Sequence, residues 1–442
     1  MHMKKAMKPL RIGLLGIGTV GGGTFDVLTR NAEEISRRAG RPITISHVAD
    51  KNLTLANQVV AGRAVVTDDG FSIVRNPNID VVIELIGGCT FAKQLMLEAI
   101  ANGKHVVTAN KALLALHGNE IFAAARAKGV IVAFEAAVAG GIPIIKALRE
   151  GLVANRIEWI AGIINGTTNF ILSEMRSKRA SFADVLKVAQ AKGYAEADPT
   201  FDIEGVDAGH KISILAAIAF GIPLSFDKAH VEGITKIEAI DIRYAEEMGY
   251  RIKLLGLARR REVGIELRVH PTLIPTKRLI ANVEGVMNAV LVKGDAVGAT
   301  LYYGAGAGAW PTASAVIADL VDVARLIDAD ASHRVPYLAF QHDKIGTEPV
   351  LSIDEVETSY YLRLRVDDKP GVLADITRVL ADNHISIDAM LQKEPEEGEA
   401  QADIILLTHE TIEKNVKRAI AAIEAQPTTG AKVVLLRLEN LA

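Results

Sequence analysis

Between Tyr194 and Lys211 the chain reads YAEADPTFDIEGVDAGHK, with five carboxylates (Glu196, Asp198, Asp202, Glu204, Asp207) and one lysine in eighteen residues, followed at once by the apolar run ISILAAIAFG. Pro199 and Gly205 punctuate the stretch, so Glu196 to Glu204 reads as a loop. The next segment reads as a helix, and Ile212, Ile214, Leu215 and Ile218 mark it as buried. Asp207 and Lys211 are then four residues apart on one face, a spacing that an ordinary ion pair would also use. The pair sits where the helix enters the core, and more acids surround it than one lysine requires. Charge retained in a partly buried place marks a candidate functional site. The cluster suits a substrate carrying an ammonium group, with Lys211 transferring a proton. A hard divalent cation would also accept these acids, although the EF-hand spacing is absent.

The elements that must position this cluster begin with PLRIGLLGIGTVGGGTFDVLTR, which reads as a strand, a glycine turn and a helix. Gly16, Ile17, Gly18, Thr19, Val20 and Gly21 match G-x-G-x-x-G in the strand-to-helix context that a dinucleotide site needs. Gly16 permits the tight turn, Gly18 lets a pyrophosphate approach the backbone, and Gly21 lets helix and strand pack closely. The strand ITISHVAD ends at Asp50, which could bind both ribose hydroxyls of NAD; Lys51 could instead pair with the 2′-phosphate of NADP. Further strands at 81–87, 104–109 and 129–135 alternate with helices, which predicts a doubly wound parallel sheet of the Rossmann type. Ligands lie at the carboxyl ends of such strands, which places Gly87, Gly88, Thr108, Ala109, Asn110 and Lys111 near a nicotinamide.

From about residue 136 the pattern changes to α+β. RIEWIAGIINGTTNFILSEM reads as strand, polar loop and helix, and VGIELRVHPTLIP alternates as a half-buried strand does. NAVLVKGDAVGATLYYGAGAG reads as two strands joined by a glycine-bearing turn, and WPTASAVIADLVDVARLI as a helix returning to the first domain. After a poorly periodic linker, residues 357–442 follow a β-α-β-β-α-β order, which is ferredoxin-like. The predicted domains are 1–135 (completed by 311–330), 136–310, a linker at 331–356, and 357–442.

A net charge of −3 argues against a nucleic-acid footprint, and no apolar run is long enough, at about 18 residues, to span a membrane. Lys4, Lys5, Lys8 and Arg11 cluster near the start without an apolar signal core behind them, so no secretory peptide is expected. Cys89 is the one cysteine, which excludes an internal disulfide and a cysteine-based zinc site and points to the cytoplasm. It reads as a buried small residue, and no thiohemiacetal chemistry is expected.

The fingerprint, VTANKA (107–112), NGTTNF (165–170) and GYAEADPTFDIEGVDAGHK (193–211), taken in that order, resemble the homoserine dehydrogenase family. The resemblance covers residues 10 to about 330, and the last motif is its most specific part. It implies NAD(P)-dependent interconversion of L-aspartate 4-semialdehyde and L-homoserine, on the way to threonine, methionine and isoleucine. It also implies that Lys211 donates the proton, Lys111 lies beside substrate and nicotinamide, and Asp207 orients Lys211 or the substrate. Glu196, Asp202 and Thr167 match substrate-binding positions, and Gly306 and Gly308 match a segment returning to the cofactor. Glu135, Val138, Gly140 and Ile142 match positions that hold a sodium ion, mostly through backbone carbonyls. DKPGVLADI (368–376) resembles the ACT domain signature, which implies a small amino-acid effector, threonine in this context. A homodimer or homotetramer is expected, with no kinase fusion, and removal of residues 350–442 is expected to retain activity and abolish inhibition. Two other readings remain at this point: another amino-acid dehydrogenase on the same scaffold, or a non-catalytic amino-acid sensor.

Overall fold

The computed structural model describes residues 8–393 and 399–442; Lys4 and Lys5, from the basic N-terminal cluster, lie outside them. By contact the chain forms two units. Among the described residues, the first contains 8–166, 210–227 and 287–348, and the second 167–209, 228–286, 349–393 and 399–442. Among the described residues, no helix is long and apolar enough to cross a membrane.

The first unit is built on six parallel strands. Their order across the sheet is Val65–Thr67, Ile43–Ala49, Leu10–Leu15, Val81–Glu84, His105–Thr108 and Val132–Ala133. Leu10, Ile12, Leu14, Val81, Ile83 and Val107 form the buried sheet core, as continuous apolar strands covered on both faces should. The helix Ala309–Leu326 joins that core through Val316, Leu320 and Val323. It packs on the fingerprint helix Thr19–Arg30 so closely that a Cβ on Gly23 would lie 2.6 Å from the Ala309 carbonyl oxygen. The same unit carries three antiparallel strands, Ile157–Ile163, Met287–Gly294 and Gly298–Ala305.

In the second unit, Tyr250–Arg260 pairs antiparallel with Ile265–Pro275. The last strand, Val434–Leu438, lies parallel to Ile265–Pro275 on one side and antiparallel to Glu357–Asp367 on the other. Gln401–Thr408 and Ile387–Gln392 complete that sheet, and the helices Val372–Asp382 and Glu413–Glu424 pack on it, giving the ferredoxin-like order. One expectation is corrected here. Ile265–Pro275 is not half-buried, because all its residues up to Ile274 are buried. Its polar positions are inside because other side chains satisfy them. Arg268, 1% exposed, donates to Glu266 at 2.8 Å and to Glu439 at 2.5 Å, and Arg259 donates to Glu439 at 2.7 Å. His270 accepts from Arg268 at 2.8 Å, and burial together with Arg437 and Arg268 pushes its proton affinity far down.

Candidate active site

The glycine turn has the shape that a dinucleotide needs. Gly16 holds φ +94°, and a Cβ there would meet the Leu85 carbonyl oxygen at 2.7 Å. A Cβ on Gly21 would lie 2.0 Å from the Gly16 carbonyl oxygen, so helix and turn touch through backbone. Gly18, by contrast, is exposed and has nothing within 4 Å of a Cβ position. It caps the helix Thr19–Arg30 without a side-chain cap, and the N–H groups of a helix start are suited to phosphate oxygens. Of the other fingerprint residues, Ile17 is buried, Val20 is half-buried and Thr19 is exposed.

Asp50, at the end of Ile43–Ala49, accepts from the Ile17 N–H at 2.7 Å and the Asn52 N–H at 2.8 Å. It therefore braces the turn from the neighbouring strand, and Lys51 beside it is exposed. Thr108 is fully buried, and its hydroxyl donates to Glu84 at 2.7 Å. Glu84 also accepts from Ile86 and Gly87 N–H groups at 2.9 and 3.2 Å. Asn110 donates from its N–H to Thr108 at 3.0 Å and from its side chain to the Gly88 carbonyl at 2.8 Å. Two strand-end turns are thus tied together beside half-buried Lys111, which opens the helix Lys111–Lys128.

Gly306 and Gly308 lead into the helix Ala309–Leu326, with Gly308 at φ +120°. A Cβ on Gly140 would lie 2.5 Å from the Gly306 carbonyl oxygen, so the turn at 138–142 and the glycine segment are in contact. Val138 and Ile142 are buried, and Ala139 and Gly140 have φ of 55° and 48°. The Glu135 carboxylate accepts from Ile145 and Lys146 N–H groups at 3.0 and 2.8 Å, so it caps the following helical turn. Burial raises its pKa to about 7, and Asp319 adds to the rise.

Lys211 is 9% exposed, and its Nζ donates to the Ile164 carbonyl at 2.8 Å, immediately before Asn165. Asp207, one turn earlier on the helix Val206–Phe220, is also buried. The chain passes from the second unit to the first within this helix, after Gly209. In the second unit, Thr167 stands in the first turn of Gly166–Lys178 and donates to the Tyr194 carbonyl at 2.6 Å. The expected loop from Glu196 to Glu204 contains one helical turn, Thr200–Ile203. Asp198 accepts from the Thr200 N–H at 3.1 Å, which with the Thr200 hydroxyl holds its pKa below the usual carboxylate range. Glu196 is exposed and Asp202 half-buried. Among the described residues, no group of three or more His, Cys, Asp and Glu is placed to hold a metal ion.

The profile for the NAD binding domain of homoserine dehydrogenase matches residues 16–135, that for homoserine dehydrogenase matches residues 143–321, and the ACT domain profile matches residues 360–428. A homoserine dehydrogenase of Pseudomonas aeruginosa is 62% identical over 98% of this chain and the whole of that protein. The chain belongs to the homoserine dehydrogenase family. It is accordingly an NAD(P)-dependent oxidoreductase with an ACT domain. Within the family, the Bacillus subtilis homoserine dehydrogenase is 40% identical over 92% of this chain and 93% of its own length. A crystal structure of a homoserine dehydrogenase from Thiobacillus denitrificans matches with a TM-score of 0.95 and 67% identity, over 99% of this chain and all of that one.

Three buried polar residues were not singled out from sequence. Glu84 interrupts the apolar run VVIELIG, which is the signal that could have marked it. Lys253 sits within the equally apolar strand Tyr250–Arg260. It is 2% exposed and donates to Asn169 of the NGTTNF motif at 3.0 Å and to the Val283 carbonyl at 2.5 Å. Burial lowers its pKa to about 8 against the pull of Glu284. His210 precedes Lys211, is 3% exposed, and packs edge-on against Phe226 at 4.2 Å.

Proposed function

We propose that this chain interconverts L-aspartate 4-semialdehyde and L-homoserine with Lys211 as the proton donor. The observation that carries this reading is a nearly buried ammonium, 9% exposed and 2.8 Å from the Ile164 carbonyl, beside the NGTTNF motif. A bound nicotinamide would supply or accept the hydride. As charge grows on the aldehyde oxygen, Lys211 stabilises it and gives up a proton; in the reverse direction it takes the proton back. Asp207, buried one turn away, orients that lysine or the substrate. Lys111 assists beside the nicotinamide, while Glu196, Asp202 and Thr167 bind the substrate's polar groups. Gly16 to Gly21 hold the pyrophosphate, with Gly306 and Gly308 returning to the cofactor. Asp50 at the strand end favours the ribose hydroxyls of NAD, and exposed Lys51 also admits NADP.

Lys211→Ala should lower turnover by about 10² to 10⁴-fold, the usual span for a lost general acid. Cofactor affinity, measured by nicotinamide fluorescence titration, should stay nearly constant. Turnover equal to that of the wild type would remove Lys211 from the mechanism.

The regulatory reading is feedback by threonine at the ACT domain. Gly371, at φ +93°, precedes the helix Val372–Asp382 without a side-chain cap, which suits an amino-acid carboxylate. For a sodium ion, the Glu135 carboxylate already serves two N–H groups, so the carbonyl oxygens of Val138, Gly140 and Ile142 would do the holding. A homodimer or homotetramer in the cytoplasm, with a nucleotide-binding domain, a substrate domain and an ACT domain joined by the 331–356 linker, completes the proposal.

A further inference from the structure

We propose that Arg437, on the last strand of the ACT sheet, is a positioning residue for the acidic substrate stretch, acting through Glu232 and the segment that follows it. The inference rests on the reading of that stretch as substrate-binding. Arg437 is 1% exposed. Its Nε and Nη2 each donate to Glu413 at 2.6 Å, and its Nη1 and Nη2 each donate to Glu232 at 2.9 Å. One guanidinium therefore forks two carboxylates at once, which a lysine ammonium could not do. Glu413 is fully buried and opens the ACT helix Glu413–Glu424. Glu232 lies outside the ACT fold, and its carboxylate also meets His230 Nε2 at 2.7 Å.

Main chain carries the connection onward. Glu232 N–H donates to the Val269 carbonyl at 2.8 Å, and Ile234 N–H donates to the Ile203 carbonyl at 2.8 Å. The approach is close enough that a Cβ on Gly233 would lie 2.2 Å from the Ile203 carbonyl oxygen, and one on Gly205 would lie 3.1 Å from that of Glu232. Residues 232–234 thus lie directly against residues 203–205, midway between Asp202 and Asp207. A shift in the ACT sheet that moves Arg437 moves Glu232, and the backbone between the two substrate-facing acids goes with it.

The test uses the full-length protein and three variants: Glu232→Gln, Glu413→Gln and Asp202→Asn. The Glu232 side chain is 41% exposed, so its loss leaves Arg437 still paired with Glu413 and the fold intact. Glu232→Gln should raise KM for homoserine roughly tenfold, since small misplacements of binding groups are costly, and leave KM for the cofactor unchanged. Glu413→Gln keeps the Arg437–Glu232 fork; it should lower Tm and hold KM for homoserine within about twofold. A raised KM in Asp202→Asn beside an unchanged KM in Glu232→Gln would make Arg437 purely structural and overturn the inference. Unchanged values in both variants would overturn the reading of the acidic stretch, and the inference with it.

Discussion

Glu135 and Asp319 in the first unit and Glu439 in the second are all acids with 3% or less of their surface exposed, yet they titrate in opposite directions. Burial raises Glu135 to about 7 and Asp319 to about 6. Peptide N–H groups donate to both, those of Ile145 and Lys146 to Glu135 and that of Glu135 to Asp319. Glu439 suffers the same burial, but Arg268 and Arg259 outweigh it and hold its pKa below the usual range. Glu232, though more exposed, is likewise held below the usual range by His230 and Arg437. Glu135 and Asp319 therefore accept from peptide N–H groups, whereas Glu439 accepts from guanidinium ions. One arrangement loses stability as pH rises, the other as pH falls, and they fail differently when a partner is removed.

The largest expected effect comes from taking the ionic partners away together. Deleting residues 357–442 removes the strand beside Ile265–Pro275 and takes Glu439 from Arg268 and Arg259. It also takes Arg363 and Tyr361 from Asp241, which is fully buried. Breaking one buried pair costs about 3–5 kcal/mol. Two or three such losses approach the whole stability of a domain, about 5–15 kcal/mol. The shortened chain should therefore lose its cooperative thermal transition, as followed by circular dichroism. If so, the expectation that removal of residues 350–442 retains activity would fail with the fold. A truncated protein melting at the full-length temperature would show that the arginine clusters hold nothing together.

The same contrast explains what could be read from sequence. The fingerprint turn, Asp50 and the alternation of strands and helices are local patterns, and their geometry follows from residues close in the chain. The i,i+4 spacing of Asp207 and Lys211 is equally local, and both side chains are buried on one helix. The charged ladder is not local. Arg268 and Glu439 lie 171 residues apart. Alternation in IELRVHPTLIP therefore reads as a solvated face until the last strand and its partners cover it. The partner of the Thr108 hydroxyl was hidden for a related reason, since Glu84, which accepts from it, lies 24 residues away.

A smaller effect should expose the neutral half of the comparison. Asp319 and Glu135 have folded-state pKa values above their ordinary ones, so the folded protein binds more protons than the unfolded chain in that range. Stability is then present at low pH and declines as pH rises from about 4 through about 7. At about 1.4 kcal/mol per unit, the Asp319 share is at most about 3 kcal/mol. Asp319→Asn keeps an oxygen to accept from the Glu135 N–H and removes the charge that helps raise Glu135. Relative to the wild type, its Tm should therefore improve steadily between pH 4.5 and pH 7.5, a range set by those shifts. A Tm difference that does not change with pH would mean that the buried pair does not titrate as described.

The smallest effects should come from the glycine turn, where sterics act without charge. Gly21→Ala places a methyl 2.0 Å from the Gly16 carbonyl oxygen, and the backbone must shift to admit it. Overpacking of this kind costs about 1–3 kcal/mol, and because no ion pair is involved the loss should be the same at low and high salt. Gly18→Ala meets nothing within 4 Å, so Tm should stay within about 0.5 kcal/mol of equivalent stability. Its methyl nevertheless occupies the open space assigned to the pyrophosphate, and KM for the cofactor should rise while KM for homoserine does not. The two alanines thus separate a glycine kept for packing from a glycine kept for the ligand. If Gly18→Ala left cofactor KM unchanged, the phosphates would have to lie elsewhere on the turn, and the open space at Gly18 would carry no functional meaning.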